Sequence, residues 1–112
     1  MPTLEDIQAA LTDALRKHQA GRIDEAVRVY VTVLAAVPAN ADAHHLRGLA
    51  LFQRGGHPRA AASIGRALAI DPTQAAFHLN LAQVTAAQRR PAVAAASTRR
   101  GLSLAPDNPQ AY

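Results

Sequence analysis

Apolar positions along the chain recur at the spacing of a helix rather than a strand. Ile23, Ala26, Val27, Tyr30, Val33 and Leu34 share one helical face, as do Ala60, Ala61, Ile64, Ala67 and Leu68, and the opposite faces carry Arg28, Arg59 and Arg66. Each stretch runs into a proline. Pro38, Pro72 and Pro106 stand 34 residues apart, after Leu34-Ala35-Ala36-Val37, Leu68-Ala69-Ile70-Asp71 and Leu102-Ser103-Leu104-Ala105. Proline lacks an N–H and crowds the preceding turn, so these mark three helix ends. The same offset aligns Ala26 with Ala60 and Ala94, and Gly21 with Gly55. The pattern predicts an all-α chain, one domain over 1–112, made of three helix-turn-helix units at about residues 4–39, 40–73 and 74–107. Residues 108–112 then open a further helix or a tail.

Composition sharpens this picture. Hydrophobic residues make up 49% of the chain, yet only 4% of residues are aromatic and alanine fills 27 of 112 positions. Apolar surface supplied in such small pieces is buried only if backbones approach closely, as paired helices do at about 8–10 Å. Each hairpin has an apolar face it cannot cover alone, so neighbours must stack into a solenoid, for which about three repeats is the usual minimum.

Hairpins of this length, with a glycine in the internal turn, small residues at the helix crossing and a closing proline, resemble tetratricopeptide repeats over nearly the whole chain. With units counted from Ile7, Ala41 and Ala75, the family's small eighth residue is met by Ala14, Gly48 and Ala82. Its alanine at the twentieth is met by Ala26, Ala60 and Ala94, and its bulky twenty-fourth by Tyr30, Ile64 and, weakly, Thr98. The family's aromatic fourth position is instead Ala10, His44 and His78, its apolar seventh is Asp13 and Arg47 before Leu81, and the third turn has Arg89 for glycine. The resemblance implies a right-handed α-solenoid. Asp107-Asn108-Pro109-Gln110-Ala111-Tyr112 reads as the opening of a fourth repeat without a polar cap, so we expect either a longer protein or a homo-oligomer formed through the last repeat.

The family lines its concave face with residues of the first helix of each hairpin. Carried over to this chain, that implies a peptide-binding groove at His45, Leu49, Phe52, Gln53, Leu79, Asn80 and Gln83, while Leu11 and Leu15, at matching positions, are expected to pack between repeats. None of the lining positions holds Lys or Arg. Relatives that grip a terminal carboxylate use paired Lys, Arg and Asn there, and only Asn80 is present, so an extended or helical segment with apolar side chains fits better. The expected function is a protein–protein interaction scaffold with a protein or peptide partner and no small-molecule substrate. An alternative is the recognition arm of a larger bacterial enzyme, because the segments 18–26 and 41–49 look like repeats that precede glycosyltransferase-like, sulfotransferase or methyltransferase domains.

Catalytic constellations do not assemble. With no Cys there is no thiol nucleophile and no Cys-based zinc site, and the five histidines form no His-x-x-x-His pair. Ser63, Ser97 and Ser103 lack a nucleophile elbow and no phosphate-cradling glycine loop exists, so no enzyme activity, cofactor or metal is expected. The net charge of +4 resides mainly in arginines of outer helix faces, and Arg89-Arg90 and Arg99-Arg100 lack interleaved aromatics, so nucleic acid is not an expected partner. His18 and His45 face the expected groove and would charge it below about pH 6.5. No run approaches the ~18 apolar residues of a membrane span, and the first residues are acidic, so no membrane contact and a cytoplasmic location are expected.

Overall fold

Local chemistry sets where each helix begins. Thr3 Oγ1 accepts from the Asp6 N–H at 3.0 Å while the Thr3 N–H donates to Asp6 Oδ2 at 2.9 Å, a reciprocal cap that opens α1 (Leu4–Gln19). The bond from the Thr3 N–H, and after it the nearby Thr3 hydroxyl, favours the ionised form and holds the Asp6 carboxyl below the usual carboxylate range. Asn40 Oδ1 accepts from the Ala43 N–H at 2.9 Å and so starts α3 (Ala41–Gln53). Ahead of α5 (Ala75–Ala87), Asp71 takes hydrogen bonds from Thr73 and Gln74, which lower its pKa in the same way. The second helices, α2 (Ile23–Ala36), α4 (His57–Ile70) and α6 (Pro91–Leu104), follow directly from tight turns. The computed structural model describes residues 2–104, all of whose regular structure is helical.

The turns within the three hairpins are copies of one another. Gly21 (φ 86°), Gly55 (φ 87°) and Arg89 (φ 59°) all adopt the left-handed conformation just past a helix end. In each, that residue's N–H reaches the carbonyl three back (His18, Phe52, Ala86) and the next N–H reaches the carbonyl five back (Lys17, Leu51, Thr85), at 2.8–3.0 Å. Arg89 therefore departs from glycine in sequence but not in backbone. α2 and α4 stop two residues before Pro38 and Pro72; Pro106 and the expected start of a fourth repeat lie outside the described residues.

Small residues set the helix spacing. A Cβ on Gly48 would sit 2.6 Å from Ile64 Cγ1 and 3.1 Å from the Ala60 carbonyl, so α3 and α4 meet there backbone to side chain. One core group joins Ile7, Leu11, Ala14, Ala26, Tyr30 and Val33 of the first hairpin to Ala43 and Ala50 of the second, and another joins Leu51, Ala60 and Ile64 to Val84 of the third. Both cross a hairpin boundary, which is how stacking buries what one hairpin cannot. Tyr30 is wholly buried, its hydroxyl has no partner among the described residues, and burial pushes its pKa up to about 12.

The stack is a right-handed α-solenoid of three hairpins. Its first helices α1, α3 and α5 touch one another in succession, whereas α2, α4 and α6 stand further apart. That difference curves the stack with the first helices on the inside. His44 and His78, at the position where the resemblance leads to an aromatic, each tie their Nε2 to the closing proline of the previous hairpin, at 2.9 Å to Pro38 O and 2.8 Å to Pro72 O. Both Nε2 atoms carry the proton as donors, because a carbonyl only accepts.

Candidate functional site

The inner wall is shaped by α1 and α3. Leu15, His18 and Gln19 of α1 and Leu49, Phe52 and Gln53 of α3 line an open hollow of about 520 Å³, mostly apolar in surface. Leu15, Leu49 and Phe52 are half-buried and leave carbon exposed, while Gln19 and Gln53 are exposed at its rim. The Phe52 ring is braced from behind by His57, with ring centroids 5.0 Å apart. Such a hollow can take one or two apolar side chains, with amides nearby to satisfy peptide groups.

Two polar ties cross between first helices. His18 Nε2 donates to Gln53 Oε1 at 2.6 Å, and Asn80 Nδ2 donates to His45 Nε2 at 2.7 Å; both pairs are 35 residues apart. With its oxygen engaged, Gln53 presents its NH₂ to the groove. With one amino hydrogen engaged, Asn80 keeps its carbonyl oxygen. His45 is itself buried, its ring tilted against Phe77 with centroids 4.5 Å apart. Burial lowers its pKa to about 4 against the smaller opposing pull of Asp42, so the ring is neutral and can accept from Asn80. The expectation that His45 charges the groove near pH 6.5 is thereby corrected: the ring is beneath the surface, not on it.

The seven residues expected to line the groove therefore separate. Leu49, Phe52 and Gln53 share the hollow, Gln83 is exposed on α5, and Asn80 is half-buried beside His45. His45 and Leu79 turn inward, Leu79 filling the space above Gly101 of α6, where a Cβ would lie 2.6 Å from Leu79 Cδ2. Leu11, at the equivalent position of the first hairpin, is in the core, while Leu15 lines the hollow. The ties to His18 and His45 went unread in sequence, although their common offset, one residue more than the repeat, was a visible signal. Among the described residues no three His, Asp or Glu side chains gather to hold a metal, and no helix is long and apolar enough to cross a membrane.

The sequence matches the tetratricopeptide repeat family model over residues 11–75 and again over 48–109. No curated protein matches it. Among solved structures, the type III secretion translocator chaperone SycD of Yersinia enterocolitica is similar with a TM-score of 0.88 at 15% identity, covering 96% of this chain and 82% of that one. The first such domain of Spaghetti (RPAP3), bound to an HSP90 peptide, gives a TM-score of 0.89 at 20% identity over 98% of this chain and 87% of that one. An O-GlcNAc transferase of Thermobaculum terrenum gives 0.90 at 33% identity over 99% of this chain but only 22% of the transferase.

Proposed function

The chain belongs to the tetratricopeptide repeat family, a fold that serves as a protein-interaction scaffold, and from that premise we propose that it receives an extended segment of a partner protein along its concave face. The observation that carries this reading is the apolar hollow between α1 and α3, whose exposed carbon at Leu15, Leu49 and Phe52 is available to side chains of such a segment. Gln53 and Asn80, each oriented by a histidine tie, would donate to and accept from its peptide groups, with Gln83 extending the row onto the third hairpin. Among the described residues the hollow is lined by no Lys or Arg to meet a carboxylate, so apolar contact and amide bonding set the preference.

Peptides selected on the immobilised chain from a random library test this. Phe52→Ala is expected to weaken the selected peptides about tenfold or more while the helical signal and melting curve stay near wild type. Amide resonances of Leu49, Phe52 and Gln53 should shift on binding. Wild-type affinity in Phe52→Ala, with shifts confined to α2 and α4, would refute the groove.

A second reading, the recognition arm of a larger enzyme, is favoured by the 33% identity to part of a transferase. The size of the native protein, blotted with an antibody to this chain, separates the two: a band near 12 kDa supports a free scaffold, and a much larger band supports an arm.

A further inference from the structure

The side of α3 turned away from the groove carries a separate feature. Arg47 lies about 200° around the helix from His45, at about 100° per residue, and its side chain emerges between α2 and α4. There it meets Arg59 and Arg66 of α4, and with Ala62 and Ser63 these three arginines line a hollow of about 190 Å³. Arg59, Ala62, Ser63 and Arg66 are spaced so that one stripe of α4 faces Arg47. Arg47 Nη1 donates to Ser63 Oγ at 3.3 Å, and its Nε is buried without a partner among the described residues. Burial, and after it the charges of Arg59 and Arg66, lower the Arg47 pKa.

Among the described residues none of these three arginines is in an ion pair; the carboxylates of Asp13, Asp24 and Glu25 are paired with Lys17, Arg54 and Arg22 instead. Three like charges held together with no counter-charge work against folding, and an arriving anion would reverse that effect. Beside them opens a second hollow of about 310 Å³ that shares Arg47 and Arg66 and is otherwise lined by Val31, Leu34, Pro38 and His44. Val31 is 48% exposed, a large apolar side chain left uncovered at the edge of a cationic cleft.

We propose that this outer cleft docks an acidic segment of a partner protein, its carboxylates among Arg47, Arg59 and Arg66 and a neighbouring apolar side chain on Val31, Leu34 and Pro38. Charge complementarity sets the class: three guanidinium groups call for more than one negative charge at close spacing. The shared apolar hollow sets it further, since the ligand must carry carbon within a residue or two of its charges. Free phosphate has no such group, and a nucleic-acid backbone offers only oxygen-rich sugars between its charges. The cleft lies on the other side of α3 from the concave groove, so it stands or falls separately from the groove.

The test is a labelled peptide alternating glutamate and leucine, titrated into the full chain by fluorescence anisotropy at low and high salt. Binding is expected to weaken with salt, and to fall about tenfold or more in the Arg59→Glu/Arg66→Glu variant. Both side chains are exposed, so the helical signal and melting curve should be kept. The same charge change at Arg99 and Arg100 (R99E/R100E), and Phe52→Ala in the groove, should leave affinity within about twofold. The peptide with glutamine in place of glutamate, and that with serine in place of leucine, should each bind much more weakly. Equal losses in the two arginine pairs would reveal attraction to net charge alone and overturn the proposal. Loss in Phe52→Ala without loss in Arg59→Glu/Arg66→Glu would do the same, as would undiminished binding of the glutamine or the serine peptide.

Discussion

At position 45 the chain places an imidazole where the other two hairpins have leucine, Leu11 and Leu79. Its neutral form is the one the fold accepts, with a pKa lowered to about 4 against 6.5 for the free side chain. Between those two values the unfolded chain binds a proton that the native one refuses, so stability falls as pH drops through that window and levels off below it. The loss from pH 7 to pH 4 is on the order of 3 kcal/mol from this group. Urea titrations at both pH values should show that loss in the wild type and a smaller one in His45→Leu; equal losses would mean that the ring is not buried as described. What the sequence could not reveal here is direction. An alignment to repeat positions identified His45 and Leu79 as candidates, but it does not say which way a side chain turns. The partners Asn80 and Gly101 decide that, and they come from different helices.

Among the elements, the hairpin turns carry the clearest test. Arg89 adopts a left-handed backbone that glycine occupies in the other two copies, at a cost of about 1 kcal/mol for a residue with a Cβ. Arg89→Gly is expected to raise stability by up to about that amount in chemical denaturation, while Gly55→Arg lowers it by at least as much; no gain in Arg89→Gly would show that the side chain offsets the strain. Helix ends were legible because prolines and turn glycines are local signals. Periodicity was legible for α2 and α4, which have one buried and one solvent face. It was faint for α3, whose buried residues Ala43, His44, His45, Gly48, Ala50 and Leu51 point to several sides because helices pack around it. The caps at Thr3 and Asn40 depend on single side chains and were not read.

For the whole molecule, the middle hairpin is the one on which both cores depend. Gly48→Ala forces a Cβ against Ile64 and the Ala60 carbonyl, a conflict worth about 1–3 kcal/mol. Because each core straddles a boundary, the loss should be felt in all three hairpins. Hydrogen exchange should show amides of α1 and α6 losing protection together with those of α3 and α4; full protection retained in an outer hairpin would mean that it folds independently. The ties from His18 to Gln53 and from Asn80 to His45 have a mechanical consequence as well. Both join neighbouring first helices on the inner side of the curve, the side that lengthens when a curved stack is straightened, so uncoiling has to stretch and break them. The solenoid should therefore behave as a spring reinforced on its inner fibre, and a force prising the two ends apart would work against both ties in turn.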